Sequence, residues 1–94
     1  MNWVYEANRI YGKNEDDKLM AEVTFEYIGD TEVNINHTYV NPALRGQGVA
    51  GELLKLLAEH LREKGLKATA TCTYAISWLN RYEKEYSDII SDLF

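Results

Sequence analysis

Strict alternation is the first signal along the chain. Between Lys18 and Ile28, Leu19, Ala21, Val23, Phe25 and Tyr27 share one face of an extended segment, with Glu22, Thr24 and Glu26 opposite. Period two with one apolar face describes a half-buried antiparallel strand. Glu32 to Val40 repeats the pattern, putting Val33, Ile35, His37 and Tyr39 on one side and Asn34, Asn36 and Thr38 on the other. Gly29-Asp30-Thr31 supplies the turn between these two segments. Upstream, Val4 to Tyr11 reads as a first strand, with Trp3 and Tyr5 available to the core. The polar run Gly12 to Asp17 then forms a hairpin turn. Asn41-Pro42 stops the third strand, because proline lacks a ladder N–H and restricts the residue before it.

From Val49 to Lys64 the period becomes helical. Ala50, Leu53, Leu54, Leu57 and Leu61 form one stripe, while Glu52, Lys55, Glu59, Arg62 and Glu63 face water. Gly65 followed by Leu66 has the chemistry of a left-handed helix end with its hydrophobic contact. Leu66 to Thr71 is a short strand, and a strand–helix–strand sequence predicts a parallel pair joined by a right-handed crossover. A second helix is expected over about Tyr74 to Tyr82, burying Ala75, Trp78, Leu79 and Tyr82. The tail from Tyr86 carries Ile89, Ile90, Leu93 and Phe94, and is expected to pack on the sheet as a last strand or a helical turn. The order is β-β-β-α-β-α. It describes one α+β domain over residues 1–94, with antiparallel N-terminal strands, then a parallel pair, and helices on the sheet.

Composition narrows the partners. With 94 residues, 46% hydrophobic and 27% charged, the chain has the balance of a soluble single domain. A net charge of −5 sets nucleic acid aside as the main partner, since phosphate neutralisation needs clustered cations. It leaves room for an anionic ligand held by backbone amides, and it tolerates a cationic acceptor such as an amine. The single cysteine allows no intrachain disulfide. No signal peptide and no apolar run of about 18 residues is present, so the expectation is a cytoplasmic protein without a membrane partner. The chain is expected to be a monomer or weak dimer, without a metal.

Candidate chemistry concentrates in HTYVNPALRGQGVAG, His37 to Gly51. A strand end, a proline-marked turn and a glycine-rich loop run there into the first turn of a helix. Such a loop presents backbone N–H groups at a positive helix end, a ready place for phosphate. No G-x-G-x-x-G is present, and no Gly-Lys-Ser/Thr follows the loop. The segment Arg45-Gly46-Gln47-Gly48-Val49-Ala50 fits Q/R-x-x-G-x-G/A and resembles the pyrophosphate loop of the GNAT superfamily of N-acetyltransferases. The likeness spans about residues 5–86, and is similar to a small single-domain GNAT-like subfamily. It implies a compact mixed sheet whose parallel pair splays around acetyl-CoA. It also implies that Val40 ends the strand pairing with the pantetheine arm, and that Arg45, Gly46, Gln47, Gly48, Val49 and Ala50 hold the pyrophosphate. Typical members insert helices between the first strands, for which Gly12 to Asp17 is too short.

The implied activity is transfer of acetyl from acetyl-CoA to a small-molecule amine or a protein amino group. That chemistry needs a neutral nucleophile, stabilisation of charge on the carbonyl oxygen, and a proton for the departing thiolate. Cys72, at a strand end before a helix, is expected either as a nucleophile or thiol beside the thioester, or as a buried structural cysteine. His37 is expected as a general base or activator of Cys72, or as a hydrogen-bonded core histidine on the face of Ile35. The resemblance places Leu79 where typical members carry a tyrosine acid; Tyr74 and Tyr82 are the nearest phenols, and at helical spacing with Trp78 they read as core. A non-catalytic CoA-binding or interaction module is therefore the alternative.

Overall fold

A computed structural model describes residues 1–94. Five strands, β1 (Asn2–Glu6), β2 (Arg9–Lys13), β3 (Leu19–Tyr27), β4 (Glu32–Val40) and β5 (Lys67–Ala70), form one sheet in chain order. The first three junctions are antiparallel and β4–β5 is parallel. Helix α1 (Val49–Lys64) makes the crossover, and α2 (Thr73–Arg81) follows β5. The expected mixed-sheet class holds, with one strand more than the sequence reading counted. The segment read as one strand from Val4 to Tyr11 is a hairpin that turns at Ala7-Asn8. That turn lacks the Asn-Gly or Asp-Gly signal of a tight hairpin. A bond from outside the hairpin supports it: the Asn8 carbonyl accepts the Phe25 N–H of β3 at 3.0 Å.

The core lies between one sheet face and the apolar stripe of α1. Ile10, Ala21, Val23, Phe25, Val33, Ile35 and Ala68 meet Leu53, Leu54, Leu57 and Leu61, all buried. Each such leucine removed from water contributes about 1.5–3 kcal/mol. Gly65 ends α1 in the left-handed conformation (φ 70°), its N–H on the Arg62 carbonyl and the Leu66 N–H on the Leu61 carbonyl. The tail combines the two forms anticipated for it. Ser87–Ile89 is a 3₁₀ turn that buries Ile89, and Ile90 bridges to Ala68 at the edge of β5. Arg62 fastens this tail with two bonds to Asp88, 2.6 and 2.8 Å.

One irregularity decides what the sheet presents. Thr24 pairs with His37 but Phe25 pairs with Ile35, so Asn36 is an extra residue on β4, a bulge. Past it, side chains change faces. Thr38 and Val40 join the inner face opposite Val23 and Ala21, while His37 and Tyr39 stand on the outer face opposite Thr24 and Glu22. This corrects the alternation read from sequence, which put His37 and Tyr39 with Val33 and Ile35. The bulge also marks where β4 loses its parallel neighbour. The last β4–β5 pair is Ile35 with Ala70, and the N–H groups of Thr71 and Cys72 both close on the Ile35 carbonyl at 3.1 and 3.2 Å.

Candidate functional site

The parting of β4 from β5 leaves a strand edge without a partner. The Asn41 N–H bonds the Met20 carbonyl of β3, so alternation directs the main-chain groups of Thr38 and Val40 the other way, into the gap. Downstream, Asn41 shapes the turn. Its buried side-chain oxygen accepts the Ala43 N–H at 2.9 Å and starts the 3₁₀ turn Pro42–Leu44. Gly46 (φ 83°) and Gly48 (φ 75°) then adopt the left-handed region, which residues with a side chain rarely enter. Gly48 caps α1, its carbonyl accepting the Glu52 N–H at 3.1 Å.

The loop's amides divide into two sets. The Arg45 and Gln47 N–H groups are used in turns, on the Pro42 and Leu44 carbonyls, both at 3.3 Å. The N–H groups of Gly46, Gly48, Val49, Ala50 and Gly51 find no acceptor in the protein. Five free donors at the positive end of a 16-residue helix are the groups an anion would need. Of the six loop residues singled out in sequence, Gly46, Gly48, Val49 and Ala50 thus offer main-chain donors. Arg45 offers only its exposed guanidinium, and the Gln47 side chain turns back to the Ala43 carbonyl at 3.3 Å. A cleft of about 230 Å³ joins this loop to Val40 and Tyr74.

Cys72 sits at the N-cap of α2, half-buried, with its sulfur 3.3 Å from the Thr38 hydroxyl. Burial pushes this thiol up. The Thr38 hydroxyl and the N–H groups of Ala75, Tyr74 and Thr38 outweigh that, and the net effect holds it below its ordinary value. Thr38 reaches this position only because the bulge turned it inward. No hydrogen bond joins His37 to Cys72; His37 is exposed on the outer face. Neither the core histidine nor the activator of Cys72 anticipated from alternation is what the bulge allows.

Leu79 is 1% exposed and packs in the core. Tyr74, read from sequence as core, is 41% exposed and lines the cleft. Burial of its phenol raises its pKa further, so it stays protonated at neutral pH. Thr38 and Tyr74 are the residues that sequence reasoning missed. Tyr74 shares a helical stripe with Trp78, a signal that marks a contact face without saying whether protein or ligand covers it. No cluster of three His, Cys, Asp or Glu side chains could hold a metal ion, and no helix is long and apolar enough to cross a membrane.

Comparison with known proteins agrees with this fold. Residues 9–89 match the profile of the GCN5-related N-acetyl-transferase family. The chain is 38% identical over 65 residues to Protein NATD1 of Xenopus tropicalis, covering 69% of this chain and 56% of that protein. It therefore spans little more than half the length of that relative. Among solved structures, a GCN5-like protein of Staphylococcus aureus superposes with a TM-score of 0.79 at 34% identity, over 96% of this chain and 87% of the other. Rv2747 of Mycobacterium tuberculosis, crystallised in complex with CoA, shares the fold at a TM-score of 0.61 and 16% identity, over 80% of this chain and 46% of its own.

Proposed function

The chain belongs to the GCN5-related N-acetyltransferase family, and from that premise we propose that it moves an acetyl group from acetyl-CoA to an amine. The observation that carries this reading is the set of five unpartnered amides at the start of α1, beside the open edge of β4. The amides of Gly46, Gly48, Val49, Ala50 and Gly51 suit the pyrophosphate, with the Arg45 guanidinium as an added charge. The helix end contributes about 0.3–1 kcal/mol toward an anion. The main-chain groups of Thr38 and Val40 suit the amides of the pantetheine arm, which takes the place of a missing strand.

Acetyl-CoA supplies an activated thioester. In the balanced reaction the amine nitrogen bonds to the carbonyl carbon, the carbon–sulfur bond breaks, the amine loses a proton and CoA thiolate gains one. Cys72, its thiol held below its ordinary pKa by the Thr38 hydroxyl and nearby N–H groups, either accepts the acetyl group first or gives its proton to the departing sulfur. His37, on the outer sheet face, suits a base for an amine arriving from that side. The acceptor is a small-molecule amine or a protein amino group. Incubation with isotope-labelled acetyl-CoA and an amine panel tests the reading by mass spectrometry. Label on an amine or on Cys72, with release of CoA, supports it; tight CoA binding without either outcome supports a second reading.

That second reading is a CoA-binding module without turnover. Burial of Leu79, where the family's tyrosine acid stands, favours it.

A further inference from the structure

The sheet has two edges, and the fold treats them differently. At β5 the tail covers the edge: the Ser91 N–H donates to the Ala68 carbonyl at 2.9 Å, and Ile90 bridges to Ala68. Strand β1 is the other edge, with β2 as its one neighbour in the sheet. The two-residue turn at Ala7-Asn8 fixes which groups of β1 are used. Glu6 and Arg9 are partners across that turn and can pair only by exchanging bonds, so alternation points the main-chain groups of Asn2, Val4 and Glu6 at β2. Those of Trp3 and Tyr5 point out of the sheet, and no bond outside the ladder takes them up.

An edge left open in this way is a template for another strand unless something blunts it. β1 carries no proline, lysine or arginine, and its register with β2 runs without a bulge. Both of its aromatic rings turn onto their own fold. The Trp3 ring lies against Gly12 of β2, where a methyl group would stand 3.1 Å from it. The Tyr5 ring packs on that of His60 in α1, with centroids 5.1 Å apart. Val4 and Tyr5 remain exposed.

We propose that β1 pairs antiparallel with β1 of a second copy about a two-fold axis at Val4, joining the two sheets into one. The strand selects this occupant because Asn2–Glu6 is complementary to its own reverse. Trp3 then faces the partner's Tyr5, and Tyr5 the partner's Trp3. These are the residues whose main-chain groups are free, and their pairing makes about four hydrogen bonds. Val4 meets the partner's Val4 on the axis, at the closer spacing of a pair without hydrogen bonds. Asn2 meets the partner's Glu6. The row across the junction reads Lys13, Asn2, the partner's Glu6 and the partner's Arg9, so no like charges face each other. A slip of two residues sets Glu6 against the partner's Val4 or leaves it without an opposite residue. The junction lies at the far edge of the sheet from the β4–β5 gap, and leaves the glycine loop and Cys72 open.

Sedimentation of the whole chain over a concentration series tests the assignment. The unmodified protein should pass from monomer to dimer, and amide exchange at Trp3 and Tyr5 should slow as the dimer fills. Val4→Lys sets two ammonium groups against each other on the axis and should raise the dissociation constant roughly tenfold. An equimolar mixture of Val4→Lys and Val4→Glu should restore the dimer, which a variant that had simply lost its fold would not do. Tyr5→Pro removes an N–H that points out of the sheet, and should abolish the dimer while thermal melts show the fold intact. A monomer at every concentration up to about 1 mM overturns the proposal. So does a dimer that Val4→Lys and Tyr5→Pro leave unchanged.

Discussion

The two ends of α1 are both closed by glycine in the left-handed conformation, Gly48 at φ 75° and Gly65 at φ 70°. Their hydrogen bonding is opposite. At the C-terminal end the protein consumes its own polar groups: the Gly65 N–H takes the Arg62 carbonyl and the Leu66 N–H the Leu61 carbonyl. Arg62, one turn back, ties the tail on through Asp88. At the N-terminal end, the amides of Gly48, Val49, Ala50 and Gly51 take nothing. The same backbone conformation thus ends a helix in one place and presents donors in the other. What sets the two glycines apart is where their neighbours' hydrogen bonds go.

The largest expected effect comes from exchanging the glycines for a β-branched residue. Gly48→Val should weaken acetyl-CoA binding by roughly tenfold or more, because valine resists positive φ and its side chain enters the approach to the amides. Gly65→Val should leave affinity intact but lower the stability to urea by about 1–2 kcal/mol. Calorimetry and denaturation on both variants separate the roles; equal losses of affinity would erase the contrast.

The N-terminus of α2 is a third case, with Cys72 at the N-cap position and no side-chain capping bond. Because hydrogen-bond donors hold Cys72 below its ordinary value, its alkylation by iodoacetamide should stay fast at a pH where an unperturbed thiol has slowed. Thr38→Val removes one donor and should move the midpoint of the rate–pH curve upward, while Thr38→Ser should restore it. A midpoint that ignores both changes would show that the hydroxyl does not act on the sulfur.

Gly51 sharpens the comparison from within the helix. A methyl group there meets nothing nearer than 3.8 Å, so Gly51→Ala should stabilise the fold by about 0.5–1 kcal/mol through helix propensity. A loss of stability in thermal melts would mean that the open space at Gly51 supports packing.

The smallest effect concerns the tail. The Arg62 hydrogen bond holds the Asp88 carboxyl below the usual carboxylate range. A depressed folded value means that the unfolded chain binds this proton first. The contribution is full above the ordinary carboxylate range and fades as pH falls through the lowered value. Asp88→Asn should therefore unfold at lower urea than the parent at neutral pH, and the two curves should converge in acid. Parallel curves across that range would remove Asp88 from the latch.

Local chemistry is legible in the chain by itself. Apolar spacing marks α1 from Val49 to Lys64 with Gly65 after it, and alternation with Asn41-Pro42 bounds Glu32 to Val40, as observed. The glycine loop is legible because left-handed turns and a helix start are written within a few adjacent residues. Tertiary structure decided the rest. Whether β4 bulges at Asn36 depends on its pairing with β3, a relation between strands that no single-strand period contains. That one residue moved His37 outward, turned Thr38 toward Cys72 and freed the edge at Val40. The hairpin at Ala7-Asn8 rests on a bond to Phe25, seventeen positions away in the chain. The exposed face of Tyr74 appeared only when α1 and α2 left a groove between them. Periodicity reports which face of an element is apolar; what stands against that face is fixed by packing, where partners distant in the chain meet.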